Sequence, residues 1–204
     1  MAGSILSQVK EPLPPVPLLP SVEWWSRLVK SLAFDPSLAK AVASANETLV
    51  SSRDFGRCVI QNVKGENLIL SMAIEGGGRQ LRYKDMISRL LLSEHGDWRR
   101  NHLKAFEACL GSLPFYHDLD GPMAKIYMDK EVVNLNKFNT AIFSYILSFL
   151  LENVSQEELK SFYCNETVKT RGKELATGLN PGISILQALA SHGKETLLGL
   201  LSED

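Results

Sequence analysis

Residues 95–106 read HGDWRRNHLKAF. Two histidines, a carboxylate, an indole and two adjacent guanidinium groups stand at the head of a helical run, a set that could hold an anion and move a proton. With Asp97 as the N-cap, Trp98, His102 and Phe106 fall at i, i+4 and i+8 on one helical face. Trp98 can then stack on His102, and an imidazole that titrates near neutrality suits a general base. Arg99 and Arg100 sit at the helix N-terminus, where a cation opposes the dipole and so has the wrong sign for stability alone. Free N–H groups and guanidinium groups there would jointly grip a phosphate or carboxylate. The competing reading is a capped helix whose histidine borders the core. No metal is expected, because His95 and His102 are separated by the break before the helix and no nearby carboxylate has ligand spacing.

A second cluster is SSRDFGRCVI (51–60). Arg53 and Arg57 flank a Phe-Gly pair at the start of a strand, where two guanidinium groups could hold a carboxylate or phosphate. Gly56 would let the backbone approach another group closely. The alternative is an edge strand guarded by charge. A third stretch, IEGGG (74–78), is neither GxGxxG nor a P-loop and reads as a loop after a strand.

The elements that must position these groups follow from periodicity. Residues 1–20 form a proline-rich extended arm, with five prolines in KEPLPPVPLLP (10–20). Val16, Leu18 and Leu19 favour an arm lying along its own domain. Ser21 caps the helix VEWWSRLVKSLAF, and a second helix runs from Pro36 towards Asn46. ETLVSS (47–52), RCVIQNV (57–63) and NLILSMAI (67–74) read as strands, the last two joined by a turn at Lys64-Gly65-Glu66. RQLRY (79–83) offers a third pairing. Beyond it the pattern is helical: 84–95, 98–110, 122–129, 136–153, QEELKSFY after a capping box at Ser155, and a last helix broken at Gly193. The expected fold is α+β, with a small antiparallel sheet in the N-terminal half packed against a mainly helical C-terminal half. Residues 21–204 form its single domain.

Composition narrows the function. The net charge of −1 disfavours general nucleic-acid binding. Cys58, Cys109 and Cys164 form no CxxC and suit buried or half-buried free thiols in a reducing compartment. The longest apolar stretch, AIFSYILSFLL (141–151), is too short to span a bilayer, and the N-terminus lacks a signal-peptide pattern. These features point to the cytoplasm.

Four segments, in order, are similar to the WbqC-like family in the form its Bacteroidota members take. Within SEHGDWRRNHLKAFEACLGSLPFYHDL (93–119), Trp98 and His102 match the family's Trp-x-x-x-His, and Gly111, Pro114 and Phe115 match the element that follows. Arg57 fits the arginine of an Asn-Arg pair; LSMAIEGG (70–77) and PGISILQAL (181–189) resemble a strand with its glycine loop and a closing helix. Gly56, Ala73, Leu110 and Gln187 depart from the pattern, standing for asparagine, proline, tyrosine and aspartate. The resemblance implies a role in surface polysaccharide (O-antigen) biosynthesis. It is consistent with a transferase carrying an acyl or aminoacyl group to a nucleotide-linked amino sugar. His102 would then be the general base, Arg57 with Arg53 or Arg99 would hold the anion, and Trp98 would orient the imidazole or stack on a sugar. No cofactor is implied, and oligomerisation is left open. The rivals are a non-catalytic partner in a polysaccharide-assembly complex and a small-anion sensor.

Overall fold

The computed structural model describes residues 17–34, 55–75, 90–152, 154–164 and 182–201. Arg53, Val16, the stretches 35–46 and 47–52, the glycines 76–78 and the segment 79–83 lie outside the described residues.

Among the described residues, six α-helices carry the core. The first, α1 (Val22–Phe34), starts where the Ser21 hydroxyl accepts the Trp24 N–H. After the hairpin come α2 (Trp98–Leu110), α3 (His117–Met128), α4 (Leu135–Leu151), α5 (Gln156–Cys164) and α6 (Ile185–Leu201). The apolar stripe of α4, including Phe138, Ile142, Ile146 and Leu150, is fully buried, as its helical spacing requires. The capping box forms before α5: the Ser155 N–H donates to the Glu158 carboxylate at 2.7 Å, and the Glu158 N–H donates to the Ser155 hydroxyl at 3.2 Å. α1 packs on α5 and α6, while α2 packs on α3, on α6 and on the hairpin.

The hairpin joins β1 (Arg57–Gln61) to β2 (Asn67–Ser71) in antiparallel register, Arg57 opposite Ser71 and Gln61 opposite Asn67. Gly65 supplies the left-handed residue of its turn with φ 79°. Cys58, Ile60 and Leu70 face the core; Arg57, Val59 and Ile69 face outward. This is the α+β arrangement the sequence implies.

Three local expectations are corrected. The helix expected over 84–95 does not reach residues 90–93, which are extended and bridge two other segments, Ile74 to Leu92 and Leu91 to Asn134. A leucine run reads equally as buried helix or strand, and here the neighbouring backbone decides. Second, α3 begins at His117 and carries Pro122 inside it, rather than starting there. Third, Cys164 is exposed, whereas Cys58 and Cys109 are buried. At the other end of the chain, Leu18 and Leu19 are buried, so this part of the arm lies on its own core.

Gly193 breaks α6 with φ 72°, and a Cβ there would sit 3.0 Å from the Phe115 ring. Gly193→Ala therefore meets both a left-handed backbone and a fixed aromatic neighbour, and should cost about 2 kcal/mol in thermal or urea unfolding. Gly56→Ala, whose Cβ would make an ordinary 3.4 Å contact with Ile74, should stay within about 0.5 kcal/mol of wild type.

Candidate functional site

The first turns of α2 are built differently from a simple capped helix. Asp97 sits at the N-cap with φ 50°, and its carboxylate makes no cap bond. The side chains behind it turn inward. The Trp98 indole N–H donates to the Ser93 carbonyl at 2.7 Å. Arg99 donates from Nε to Glu94 at 2.9 Å, and from its two Nη atoms to the carbonyls of Tyr127 (2.8 Å), Asp129 (3.1 Å) and Val132 (3.1 Å). Its guanidinium also lies 4.9 Å from the centre of the Trp98 ring and 5.4 Å from that of Phe138. The His102 Nε2–H donates to the Ser71 carbonyl at 3.1 Å. That tautomer leaves Nδ1 bare, facing the Tyr127 hydroxyl at 3.5 Å.

Trp98 and His102 thus meet as the spacing suggested, with the indole and imidazole centroids 5.3 Å apart and edge to face, and Arg99 joins them over the Trp98 ring. They meet inside the protein. Arg99 and His102 are each 3 % exposed. Burial holds the His102 pKa down to about 4, against the Ser71 carbonyl, which favours the charged form. Burial likewise keeps the Tyr127 phenol protonated, pushing its pKa well above the ordinary value. His102, expected as a base in contact with substrate, lies inside the protein: one ring nitrogen serves a backbone carbonyl and the other faces a buried phenol. Arg99, expected as an anion holder, has its guanidinium engaged in four hydrogen bonds. Trp98 is buried against Phe138 and Tyr127 and has no open face for a sugar.

Arg57 stands apart from this cluster. It projects outward from the start of β1, and its guanidinium makes no hydrogen bond or ion pair among the described residues. It lines a groove of about 420 Å³ between the arm and the hairpin, bordered by Pro17, Ser21, Trp24, Val59 and Ile69. Among the described residues, Arg57 is the one charged residue on that lining. Leu19, on the opposite wall, is held at φ 46°, a backbone conformation that costs a non-glycine residue about 1–2 kcal/mol. Arg57 and His102 are neighbours only through Ser71, which pairs across the hairpin with the first and gives its carbonyl to the second.

Two polar residues matter that motif reading passed over or misread. Asn139 donates to the buried Phe55 carbonyl at 2.8 Å; a lone amide on the buried stripe of α4 was its signal. Gln187 had been set down as a missing carboxylate. Its amide accepts from the Gln61 N–H at 2.8 Å and donates to the Gln61 carbonyl at 3.5 Å, as a neighbouring strand would. An aspartate could make the first bond but not the second. Among the described residues no three His, Cys, Asp or Glu side chains lie together as a metal site, and no helix is long and apolar enough to cross a membrane.

The model of the WbqC-like protein family matches residues 50–179. No curated protein and no solved structure matches the chain.

Two tests follow from the buried cluster. The folded His102 pKa of about 4 lies below the unfolded value near 6.5, so the unfolded chain binds more protons between those limits. Stability is full above the upper limit and falls as pH drops through the window, by up to about 1.4 kcal/mol per pH unit. His192, also lowered by burial, adds in the same direction. His102→Gln keeps a donor near the Nε2 position and removes the titration, so melting curves should show a shallower acid slope in the variant. Arg99→Ala leaves three carbonyls without their donor at about 1–3 kcal/mol each. Urea unfolding should show a loss of at least about 3 kcal/mol, of which Arg99→Lys restores less than half because a point ammonium cannot span the fork.

Proposed function

The chain belongs to the WbqC-like protein family, and from that premise we propose that it acts in surface polysaccharide (O-antigen) biosynthesis, binding a nucleotide-linked amino sugar and serving the transfer of an acyl or aminoacyl group to it. One observation supports the reading: an exposed Arg57, unpaired among the described residues, on a groove whose volume, about 420 Å³, falls within the roughly 300–1,000 Å³ typical of small-molecule sites. In this reading Arg57 takes the phosphate, and Arg53, four residues earlier in the chain, is the second cation assigned to it. Val59 and Ile69 offer an apolar wall to the rest of the ligand.

Among the described residues, the groove lining carries no histidine or carboxylate. The share of catalysis we assign to the described residues is therefore orientation, which alone can supply a large part of a bimolecular barrier. An amine attacks an activated acyl group as its free base, so holding the acceptor in place is a sufficient role for this surface. A cytoplasmic location belongs to the same reading, because that is where free thiols persist.

A second reading, a non-catalytic partner in an assembly complex, is favoured by the hairpin's outer residues. Val63 is 77 % and Ile69 60 % exposed.

Thermal-shift titration with UDP- and dTDP-linked amino sugars separates the two. A ligand at 100 times its Kd should stabilise the wild type by about 2.7 kcal/mol, a shift of several degrees at this size. Arg57→Ala should melt within about 0.5 kcal/mol of wild type without ligand, and lose the shift. A folded wild type indifferent to every nucleotide sugar would move the assignment to the partner reading.

A further inference from the structure

The hairpin register shows which backbone groups of β1 are committed. The Met72 N–H donates to the Gly56 carbonyl at 2.8 Å and the Asn62 N–H to the Glu66 carbonyl at 3.0 Å. Hydrogen-bonded and non-hydrogen-bonded pairs alternate between these ends. Cys58 and Ile60 therefore bond to β2, whereas Arg57, Val59 and Gln61 turn their N–H and C=O groups to the other edge. At Gln61 that edge is filled by the Gln187 amide, donor to acceptor and acceptor to donor. Two residues along, about 7 Å away, Val59 presents the same pair of groups. No described residue meets them, and Val59 lines the Arg57 groove. The facing wall is held off by its own bonds, Val22 N–H to the Ile183 carbonyl (3.0 Å) and Ile185 N–H to the Pro20 carbonyl (2.9 Å).

We infer that this groove recognises a secondary amide beside an anion, so that its ligand is an N-acylated, phosphorylated small molecule. The ligand carbonyl accepts from the Val59 N–H, the ligand N–H donates to the Val59 carbonyl, and the phosphate rests on Arg57. The acyl group lies against Val59 and Ile69. An added peptide strand fits less well: Gln187 already occupies the next position on the edge, so a strand could not run past Gln61. The inference rests on the proposed anion site at Arg57 and deepens it. A groove that pairs with an amide favours an amino sugar that already carries one N-acyl group beside the amine to be acylated.

Isothermal titration of the full chain with N-acetylglucosamine 1-phosphate, glucose 1-phosphate and inorganic phosphate tests it. N-acetylglucosamine 1-phosphate should bind at least tenfold more tightly than glucose 1-phosphate, and it alone should slow hydrogen exchange at the Val59 amide. Val59→Pro removes the N–H on the open edge, where proline is tolerated. It should erase the tenfold preference and keep glucose 1-phosphate binding, while Arg57→Ala weakens both sugars. Equal affinity for the two sugars, still dependent on Arg57, overturns the amide inference and leaves the anion site standing. No binding of any of the three overturns both. If Val59→Pro does not fold, exchange at the Val59 amide of the wild type decides the matter: protection by the acetylated sugar upholds the inference, and its absence defeats it.

Discussion

A buried carbonyl oxygen without a donor costs about 1–3 kcal/mol, and much of this fold is irregular chain that neither helix nor sheet can satisfy. Buried or part-buried carbonyls stand at Ser71, Ser93, Tyr127, Asp129 and Val132. Their side-chain donors come from one place, the first turns of α2: Trp98 serves Ser93, Arg99 serves Tyr127, Asp129 and Val132, and His102 serves Ser71. Because one rigid helix carries all three side chains, the segments they hold are fixed relative to one another. The aromatic rings around them, Phe106, Tyr127 and Phe138, keep water from competing for the same carbonyls. A buried guanidinium is tolerable here because Glu94 and three carbonyl dipoles surround it.

The same device manages the hairpin. A two-stranded sheet is marginal by itself, and among the described residues this one meets side chains rather than further strands on its two outer edges. His102 takes the Ser71 carbonyl on the β2 side, and Gln187 takes both groups of Gln61 on the β1 side. Gln187 covers only one position. No described residue covers the edge beside Arg57 and Val59, and the gap between it and the arm is the groove.

The regular elements were legible in the sequence because their patterns are local. α1, α4, the hairpin, the Ser155 capping box and the break at Gly193 each rest on spacing, cap chemistry or a left-handed glycine. Residues 90–93 were not legible, since an extended leucine run is decided by what lies beside it. The Trp-x-x-x-His spacing correctly put the two rings on one face but could not give the direction of that face. An imidazole poised for proton transfer and one that feeds a carbonyl need the same residue at the same position. Arg99 misled for a related reason: its unfavourable place at the helix N-terminus is compensated by carbonyls about thirty residues away in sequence, 28 for Tyr127 and 33 for Val132. Of the expected binding residues that are described, Arg57 alone lies on an open surface. Gln187 was misread because an amide that imitates a peptide leaves no mark in a motif.

The pairing of Gln61 with Gln187 spans 126 residues. A chain made from its N-terminus has the hairpin early, since β1 and β2 are neighbours in sequence. The group that closes the end of β1 arrives with the last helix, as does the Ile183 carbonyl that anchors the arm at Val22. Until then the newly made protein carries an unshielded strand edge and no groove. Synthesis at roughly 5–20 residues per second leaves that interval open for several seconds or more. During it, the half-made chain is most exposed to pairing with a second copy of itself.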